Sequence, residues 1–389
     1  MVTSRDVARL AGVSQSTVSY VMSGRRSISP DTRRRVEAAI DELAFQPNAG
    51  ARALKSQRTK VIGLIVPFGP SVDTAGLLPF IESIANCARE EDHDVLLVTR
   101  DEGSAGLTRL AARSLCDGIV LMDIEARDAR IPVAAGLAVP VILIGLPEDP
   151  AGLPCVDLDF ELAGRMAVDD LAAGGHDRVA LIGHPPEQVA RDLNFIRRFQ
   201  RGAQAAAAAH GLPYEVVDQP GRGHAGAAEA VDRALAGGEA GWHSPPPGTA
   251  GSKASGGKRT SSGPAGSKPA GGNRAGARRG DAPSGPGQRA GERLGIVVPS
   301  TEAVQSILHA LAERGVQPGR DVSVIGLVTD VLAETLHPPV TNVSLEPRDV
   351  SRRAMQALFG LLDRDHPRAA APVELVAPRL TRRNTTLPT

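Results

Sequence analysis

The sequence predicts an N-terminal all-α helix-turn-helix domain, followed by an α/β body of two lobes built on parallel sheets. Three short helical segments with a glycine turn occupy the first 46 residues, and strand-like and helical segments alternate from residue 61. The 389 residues are enough for two or three domains of ordinary size. We expect two lobes because the alternating region is too long for a single core.

The N-terminal domain is predicted from its helix-capping and turn signals. Its first helix starts at a capping box in which Thr3 is the N-cap and Asp6 bonds back to it. After a glycine turn, a second helix covers 15–22, and a serine-proline pair starts a third helix over 31–44. The apolar side chains expected to face inward are Val7, Leu10 and Ala11, then Val18, Val21 and Met22, then Val36, Ile40 and Leu43.

The second helix carries the candidate base-reading residues. In a helix-turn-helix this helix enters the major groove of DNA, so that its outward side chains meet base edges. The outward residues here are Gln15, Ser16, Ser19 and Tyr20. Glutamine can pair with adenine through two hydrogen bonds, and tyrosine can reach a base edge or a phosphate. The residues expected at the DNA backbone are Thr3, Ser14, Thr17, Arg25 and Arg26.

Charge is distributed unevenly along a chain of zero net charge. Residues 1–60 contain eleven Lys or Arg against five Asp or Glu, and residues 243–293 contain nine against two. The remainder is therefore acidic, which is the charge layout of a DNA reader whose body avoids DNA. The run of three arginines at 33–35 fits phosphate contacts and a solvated helix face equally well.

The body is predicted to form parallel sheets with helices on both faces, because strands and helices alternate. The strand-like runs are 61–66, 95–98, 118–122, 139–144, 179–182, 214–217, 294–298 and 322–325. The helical runs are 78–90, 107–114, 161–173, 195–210, 225–236, 301–314 and 349–362.

Residues 238–293 interrupt this alternation. The segment consists mainly of Gly, Ala, Ser, Pro, Lys and Arg and cannot bury enough apolar surface to offset the entropy of ordering it. It falls between a helix and a strand of the second lobe, so we interpret it as a disordered insertion in a loop. One hypothesis is an auxiliary arm that binds phosphates. We favour a tolerated loop expansion, since long loops cost little closure entropy.

Enzymatic, metal and cofactor chemistry have little support in the sequence. Residues 221–226 match GxGxxG, a pattern found in dinucleotide-binding loops. The supporting acidic residue about 20 residues further on would fall at the start of the 238–293 segment, so we favour a structural loop. His93, His176 and His184 lack an i, i+4 partner with a third ligand. No serine or cysteine has the context of a nucleophile. We therefore predict no enzyme, no metal and no cofactor.

Composition excludes further classes. Three widely spaced cysteines argue against a disulfide framework and a structural zinc site, and ten aromatics argue against stacking on single-stranded bases. The polar N-terminus shows no signal peptide, and no apolar run reaches the ~18 residues of a membrane span. The expectation is a cytoplasmic, nucleoid-associated protein with no membrane partner.

The run from SRDVARLAGVSQSTVSY to TKVIGLIVP (4–67) resembles the LacI/GalR family of bacterial transcriptional regulators. Further motifs typical of that family are CDGIVL (116–121), VDLDFELAGRMAVDDLAAGGHDRVALIGHP (156–185), RDVSVIG (320–326), HPPVTNVSLEP (337–347) and LVAPRLTRRNTT (375–386). The resemblance implies a lambda-repressor-like helix-turn-helix and a periplasmic-binding-protein-like effector domain. It also implies a homodimer, a near-palindromic double-stranded DNA operator and a small-molecule effector, usually a carbohydrate.

The resemblance also implies domain boundaries. The helix-turn-helix domain is 1–46, the hinge helix and linker 47–58, and the effector-binding and dimerisation domain 59–389. Within the last, the N-lobe is expected at about 59–157 and 345–366, and the C-lobe at about 158–344 and 367–389. The three crossovers between lobes are expected near 157–160, 344–347 and 366–372.

Site residues carry over position by position. Gln15, Ser16 and Tyr20 match base-reading positions, although many members have Arg in place of Tyr20. Asn48, Ala51 and Leu54 match the hinge helix, with Leu54 as the wedge in the minor groove. The effector candidates are Phe80, Arg197, Arg198, Thr301, Glu302 and Asp330. The usual Asn-Asp pair is replaced at 300–302, and Val328 stands where an acid is usual.

The sequence therefore predicts a homodimeric repressor of a catabolic or transport operon, whose operator affinity a sugar-like effector controls. An effector-independent or global DNA-binding regulator is the alternative, and a solute-binding protein with the same two lobes is a third. Effector identity and the direction of its effect stay open.

Overall fold

The computed structural model describes residues 2–23, 27–45, 58–66, 68–69, 72–99, 103–237, 292–363 and 373–387. These residues form a three-helix N-terminal domain and two α/β lobes, each built on a six-stranded sheet. None of the helices in the described ranges is both long and apolar enough to cross a membrane. The predicted insertion, apart from its last two residues, lies outside the described residues.

The N-terminal domain consists of α1 (Ser4–Ala11), α2 (Gln15–Ser23) and α3 (Pro30–Glu42). Gly12 ends α1 in the left-handed conformation, at φ 65°, which a glycine adopts without a steric cost. The buried core is made by Val7, Ala8, Ala11, Val18, Val21, Val36, Ala39 and Phe45. Leu10 and Met22, predicted to face inward, are exposed instead. Leu10 lies about a quarter turn round α1 from the face that Val7 and Ala11 share.

The N-lobe sheet has the strand order β11-β5-β4-β3-β1-β2, with every pairing parallel. Its elements are β1 (Val61–Val66), α4 (Thr74–Glu90), β2 (Asp94–Thr99), α5 (Gly103–Ala112), β3 (Gly118–Met122), α6 (Arg130–Ala135), β4 (Val141–Ile144), β5 (Cys155–Leu158), α13 (Pro347–Leu362) and β11 (Val373–Val376). Helices α4 and α13 cover one face, and α5 and α6 cover the other. The central strands are apolar throughout because both faces are buried.

The C-lobe sheet has the order β12-β10-β9-β8-β6-β7 and is parallel except for the edge pair β10–β12. Its elements are α7 (Phe160–Ala173), β6 (Arg178–Ile182), α8 (Pro186–Val189), α9 (Asn194–His210), β7 (Tyr214–Val217), α10 (Gly223–Ala236), β8 (Leu294–Val298), α11 (Thr301–Glu313), β9 (Val322–Leu327), α12 (Asp330–Thr335), β10 (Thr341–Val343) and β12 (Leu380–Thr381). Helices α10 and α11 cover one face, and α7 and α9 cover the other.

Helices α7 and α9 approach each other at two glycines. A Cβ on Gly164 would lie 2.1 Å from the Phe199 carbonyl oxygen, and one on Gly202 would lie 1.9 Å from the Glu161 carbonyl oxygen. Any side chain would push these backbones apart. The two glycines therefore fix the spacing of the layer behind the C-lobe sheet.

The third crossover corrects one predicted boundary. Strand β11 pairs with β5, so residues 373–376 belong to the N-lobe sheet and not to the C-lobe. The chain passes to the C-lobe only between β11 and β12, at 377–379, rather than at the predicted 366–372. The other two crossovers lie at 159 and at 344–346, between strand and helix ends as expected.

Candidate nucleic-acid interface and ligand cavity

Helix α2 presents a polar face away from the three-helix core. Val18 and Val21 of α2 are buried in that core. Gln15 and Ser16 are exposed on the opposite side, and Ser19 and Tyr20 are partly exposed there. The helical period places these four polar residues together. This arrangement gathers hydrogen-bonding groups on the face of α2 that is turned away from the core.

Local hydrogen bonds hold the start of α2. The backbone N–H of Thr17 donates to Ser14 Oγ at 3.1 Å, which makes Ser14 the N-cap. Ser14 Oγ also lies 2.7 Å from Ser16 Oγ and 2.8 Å from Thr17 Oγ1. Gln15 Nε2 donates to Ser4 Oγ at 2.8 Å, which ties α2 to α1. This last bond is between exposed side chains and is cheap to exchange for a bond to a base.

Arginines of the N-terminal domain are only partly committed to internal partners. Arg34 and Arg35 lie 3.3 Å and 3.8 Å from the Asp31 carboxylate, and all three side chains are exposed. Exposed ion pairs of this kind are weak, so the arginines can exchange them for contacts to phosphates.

The first turn of α1 contains the bond that the sequence predicts between Thr3 and Asp6. Thr3 Oγ1 donates to Asp6 at 2.7 Å.

The predicted contacts Arg25, Arg26, Asn48, Ala51 and Leu54 lie outside the described residues, as does the hinge helix itself.

A cavity lies between the two lobes, at the carboxyl ends of the strands. Three phenylalanines line it, of which Phe160 and Phe195 pack at a tilt of 39° with their ring centroids 5.1 Å apart. Phe80 of α4 lines the cavity from the N-lobe. A mainly apolar wall with a few polar groups is the usual composition of a small-molecule site.

Two buried polar side chains of the C-lobe face the cavity without a partner. His184 Nδ1 and Gln188 Nε2 have no hydrogen-bond partner among the described residues. Burial lowers the pKa of His184 to about 4, so its imidazole is neutral at neutral pH. Unpartnered buried groups cost stability, and a ligand with hydroxyls would satisfy both.

A buried ion pair joins the lobes across the cavity. Asp123, directly after β3, lies 2.6 Å from Arg191, two residues after α8, and both side chains are less than a tenth exposed. Near it, the backbone N–H of Ala126 donates to the Asp192 carbonyl at 2.8 Å. On the other side of the cavity, Asp73 accepts from the Glu302 backbone N–H at 3.3 Å. All three contacts join the N-lobe to the C-lobe.

A second buried pair orients a carboxylate at the cavity wall. Arg198 Nη1 donates to Asp157 Oδ2 at 2.5 Å, and Arg198 Nη2 donates to the Leu158 carbonyl at 3.0 Å. Burial raises the pKa of Asp157 to about 6, although Arg198 opposes the shift. Asp157 lines the cavity and Arg198 lies behind it.

Comparison with known proteins gives the same two-part organisation. Residues 3–48 match the family described as bacterial regulatory proteins, lacI family, and residues 260–386 match the periplasmic binding protein-like domain. Catabolite control protein A of Priestia megaterium is 31% identical over 203 residues, which are 51% of this chain and 60% of that protein. The transcriptional regulator MalR of Streptococcus pneumoniae is 33% identical over 189 residues, which are 47% of this chain and 57% of that protein. The match thus spans less than two thirds of either relative.

Solved structures agree over the whole chain. The lac repressor dimer bound to operator and the anti-inducer ONPF superposes with a TM-score of 0.71 at 20% identity, covering 100% of this chain and 99% of that one. A complex of the transcriptional regulator CelR with cellobiose gives 0.59 at 21% identity, covering 99% and 100%. The chain thus shares the fold of these regulators, and its residues 3–48 match the lacI family.

The predicted effector residues do not all meet in the interlobe cavity. Phe80 and Thr301 line the interlobe cavity, and Thr301 Oγ1 is bound to the Leu327 carbonyl at 3.2 Å. Arg197, Arg198, Glu302 and Asp330 do not line this cavity, and their role in effector binding stays a prediction. Arg197 lies outside, in ion pairs with Glu148 and Asp192, and Glu302 pairs with Arg222. Asp330 faces Arg379 and Arg383 of the C-terminal segment. Arg198 bonds to Asp157 and to the Leu158 carbonyl, and its guanidinium lies 5.8 Å from the centroid of the Phe160 ring.

The sequence interpretation missed the polar wall formed by Asp123, Asp157, His184, Gln188 and Arg191. Two of these residues carried a usable signal, because Asp123 directly follows β3 and His184 lies two residues after β6. Ligands of parallel sheets bind outside the carboxyl ends of the strands, which are the positions of these two side chains. Gln188 lies in α8, which the sequence pattern did not predict, and Arg191 follows that helix.

Proposed function

We propose that this chain is a sequence-specific DNA-binding transcriptional regulator, a homodimeric repressor of a catabolic or transport operon. It acts in the cytoplasm, in association with the nucleoid. The observation that carries the proposal is the polar face of α2, where Gln15, Ser16, Ser19 and Tyr20 stand opposite a packed three-helix core. Thr3, Ser14 and Thr17 beside this face, with Arg25 and Arg26, would contact phosphates. Asn48, Ala51 and Leu54 would occupy the minor groove.

A dimer follows from the need to place two copies of α2 in successive major grooves of a near-palindromic operator. The described surface supports a second copy on the N-lobe. Leu78 of α4 and Leu96 and Leu97 of the edge strand β2 are exposed large apolar side chains. An exposed apolar edge of this kind is a liability in a monomer and is normally covered.

The effector in this proposal is a small polyhydroxylated molecule, of which a carbohydrate is the class that fits best. The aromatic wall suits an apolar sugar face, and His184 Nδ1 with Gln188 Nε2 offers an acceptor and a donor for hydroxyls. Because residues of both lobes form the cavity wall, a bound effector would shift the equilibrium between different relative orientations of the two lobes. The coupling is reciprocal, so a ligand that weakens operator binding is itself bound more weakly on the operator.

Selection of genomic fragments by the purified full chain at about 0.15 M salt tests DNA recognition. A few sites sharing a two-fold symmetric motif are expected. On such a site, Gln15→Ala should cost about 1–3 kcal/mol of specific binding and leave the salt slope unchanged. Ser4→Ala, which removes only the internal partner of Gln15, is the matched control and should bind as the wild type does. Many weak sites without a shared motif would refute the specific repressor.

Thermal unfolding in a panel of mono- and disaccharides tests the effector. A ligand at about a hundred times its Kd should stabilise the chain by about 2.7 kcal/mol. Gln188→Ala should reduce that shift and leave the unfolding of the free protein little changed. If no sugar shifts the transition while specific operator binding persists, the effector-independent regulator is the better description.

A further inference from the structure

Two histidines and a glutamate converge on the outer surface of the C-lobe, away from the interlobe cavity and the DNA-reading helix. His224 is the second residue of α10, and His309 and Glu313 lie one turn apart on α11. Their ligand atoms all lie within 4.8 Å of one another. The packing of α10 against α11 brings them together, although they are distant in the sequence.

The spacing of these three groups suits tetrahedral coordination. His224 Nε2 lies 3.0 Å from one Glu313 carboxylate oxygen, and His309 Nε2 lies 3.4 Å from the other. Four ligands held about 2.0–2.1 Å from a zinc ion are separated from each other by about 3.3 Å. The two histidine–carboxylate separations are close to this value, each to a different Glu313 oxygen. Rotation of the exposed side chains would bring one oxygen and both nitrogens around a single ion.

The neighbouring charged side chain, Arg314, does not prevent the three residues from binding an ion. Arg314 Nη1 stands 3.9 Å from Glu313, but its guanidinium is already held by Asp232, with Nε 2.5 Å from Oδ1. The two imidazole rings are tilted against each other with centroids 4.9 Å apart. All three side chains are about half exposed or more, so an ion and completing water molecules have access.

His93, His176 and His184 lack an i, i+4 ligand pair with a third ligand, and no metal is expected from the sequence. His309 and Glu313 are a pair of that kind, and the fold supplies the third ligand from the first turn of α10. A Cβ on Gly226 of α10 would lie 1.9 Å from the carbonyl oxygen of Gly221 in the preceding turn, so these glycines serve close backbone packing. The turn holds His224 at the start of its helix.

We propose that His224, His309 and Glu313 bind a divalent transition-metal ion, zinc being the class that this two-nitrogen, one-oxygen donor set fits best, with water completing the tetrahedron. The ion joins the N-terminal turn of α10 to the last turn of α11. It thereby adds a crosslink within the C-lobe that the unfolded chain lacks.

The test is a zinc titration of the untagged full chain against a chromophoric chelator at about pH 7.5. One site is expected whose affinity falls by at least about tenfold in His224→Gln and in His309→Gln. The matched control is His210→Gln. His210 is also exposed and faces a carboxylate, with Nε2 2.7 Å from Asp169, but has no third ligand.

Thermal unfolding gives a second readout on the same proteins. Zinc should raise the transition temperature of the wild type and of His210→Gln, and should leave that of His309→Gln unchanged. Equal zinc binding in the wild type and His309→Gln would overturn the proposal. So would an equal loss in the His210→Gln control. In either case the cluster is an ordinary set of histidine–carboxylate pairs.

Discussion

Acidification should destabilise the folded protein through His184. This side chain is buried at the cavity wall with an unpartnered Nδ1, and burial lowers its pKa from 6.5 to about 4. A lowered folded-state pKa gives stability that is present above the unfolded pKa and is lost as pH falls toward the folded value. Between about pH 7 and about pH 5, this linkage amounts to about 2 kcal/mol of unfolding free energy.

The assay is urea unfolding of the full chain, followed by circular dichroism, across that pH range. His184→Gln keeps a polar side chain and removes the titration, so it should lose about 2 kcal/mol less than the wild type on acidification. The slopes of unfolding free energy against pH are compared, because a constant effect of the substitution on stability does not change the slope. His210→Gln, at an exposed histidine, should follow the wild type. Parallel pH profiles for the wild type and His184→Gln would refute the desolvation argument.

Two further predictions concern the packing of the lobes. Gly202→Ala would put a Cβ 1.9 Å from the Glu161 carbonyl oxygen and should lower the free energy of unfolding by about 1–3 kcal/mol, measured by thermal unfolding. Gly221→Ala is the control, because a Cβ there meets nothing within 4 Å. Equal destabilisation by both substitutions would contradict the close approach of α7 and α9 as the cause. Asp123→Asn would leave Arg191 buried without its nearest counter-charge and should lower the free energy of unfolding by about 3–5 kcal/mol. A double-mutant cycle with Arg191→Gln measures the coupling between the two side chains. Additive effects of the two substitutions would rule out a direct interaction.

The fold could be predicted largely from apolar periodicity. Strands such as β6 and β8 are buried on both faces and therefore form continuous apolar runs. Strands β10 and β12 are three and two residues long, and β10 contains Thr341 and Asn342, so no such run marks them. Strand β11 follows residues outside the described ranges, and only its pairing with β5 reveals its lobe.

The candidate site was less predictable because its residues are selected by tertiary contacts. Arg198 is a reasonable ligand for a polar effector when only its sequence position is known. In the fold, its guanidinium is bound by Asp157, which comes from a different element. The polar face of α2 needed no tertiary information, since the core and the groove-facing residues both follow from one helical period.

The topology of the N-lobe also determines the order in which the protein can fold during synthesis. Its sheet places β5 between β4 and β11, yet β11 leaves the ribosome only after the entire C-lobe region up to β10 has been made. The three-helix domain contains only local contacts and can fold early. A nascent chain that stops before residue 373 would display β5 as an open sheet edge, the kind of surface at which incomplete proteins associate. Residues 373–376 thus complete the N-lobe sheet only late in synthesis, long after its other strands have been made.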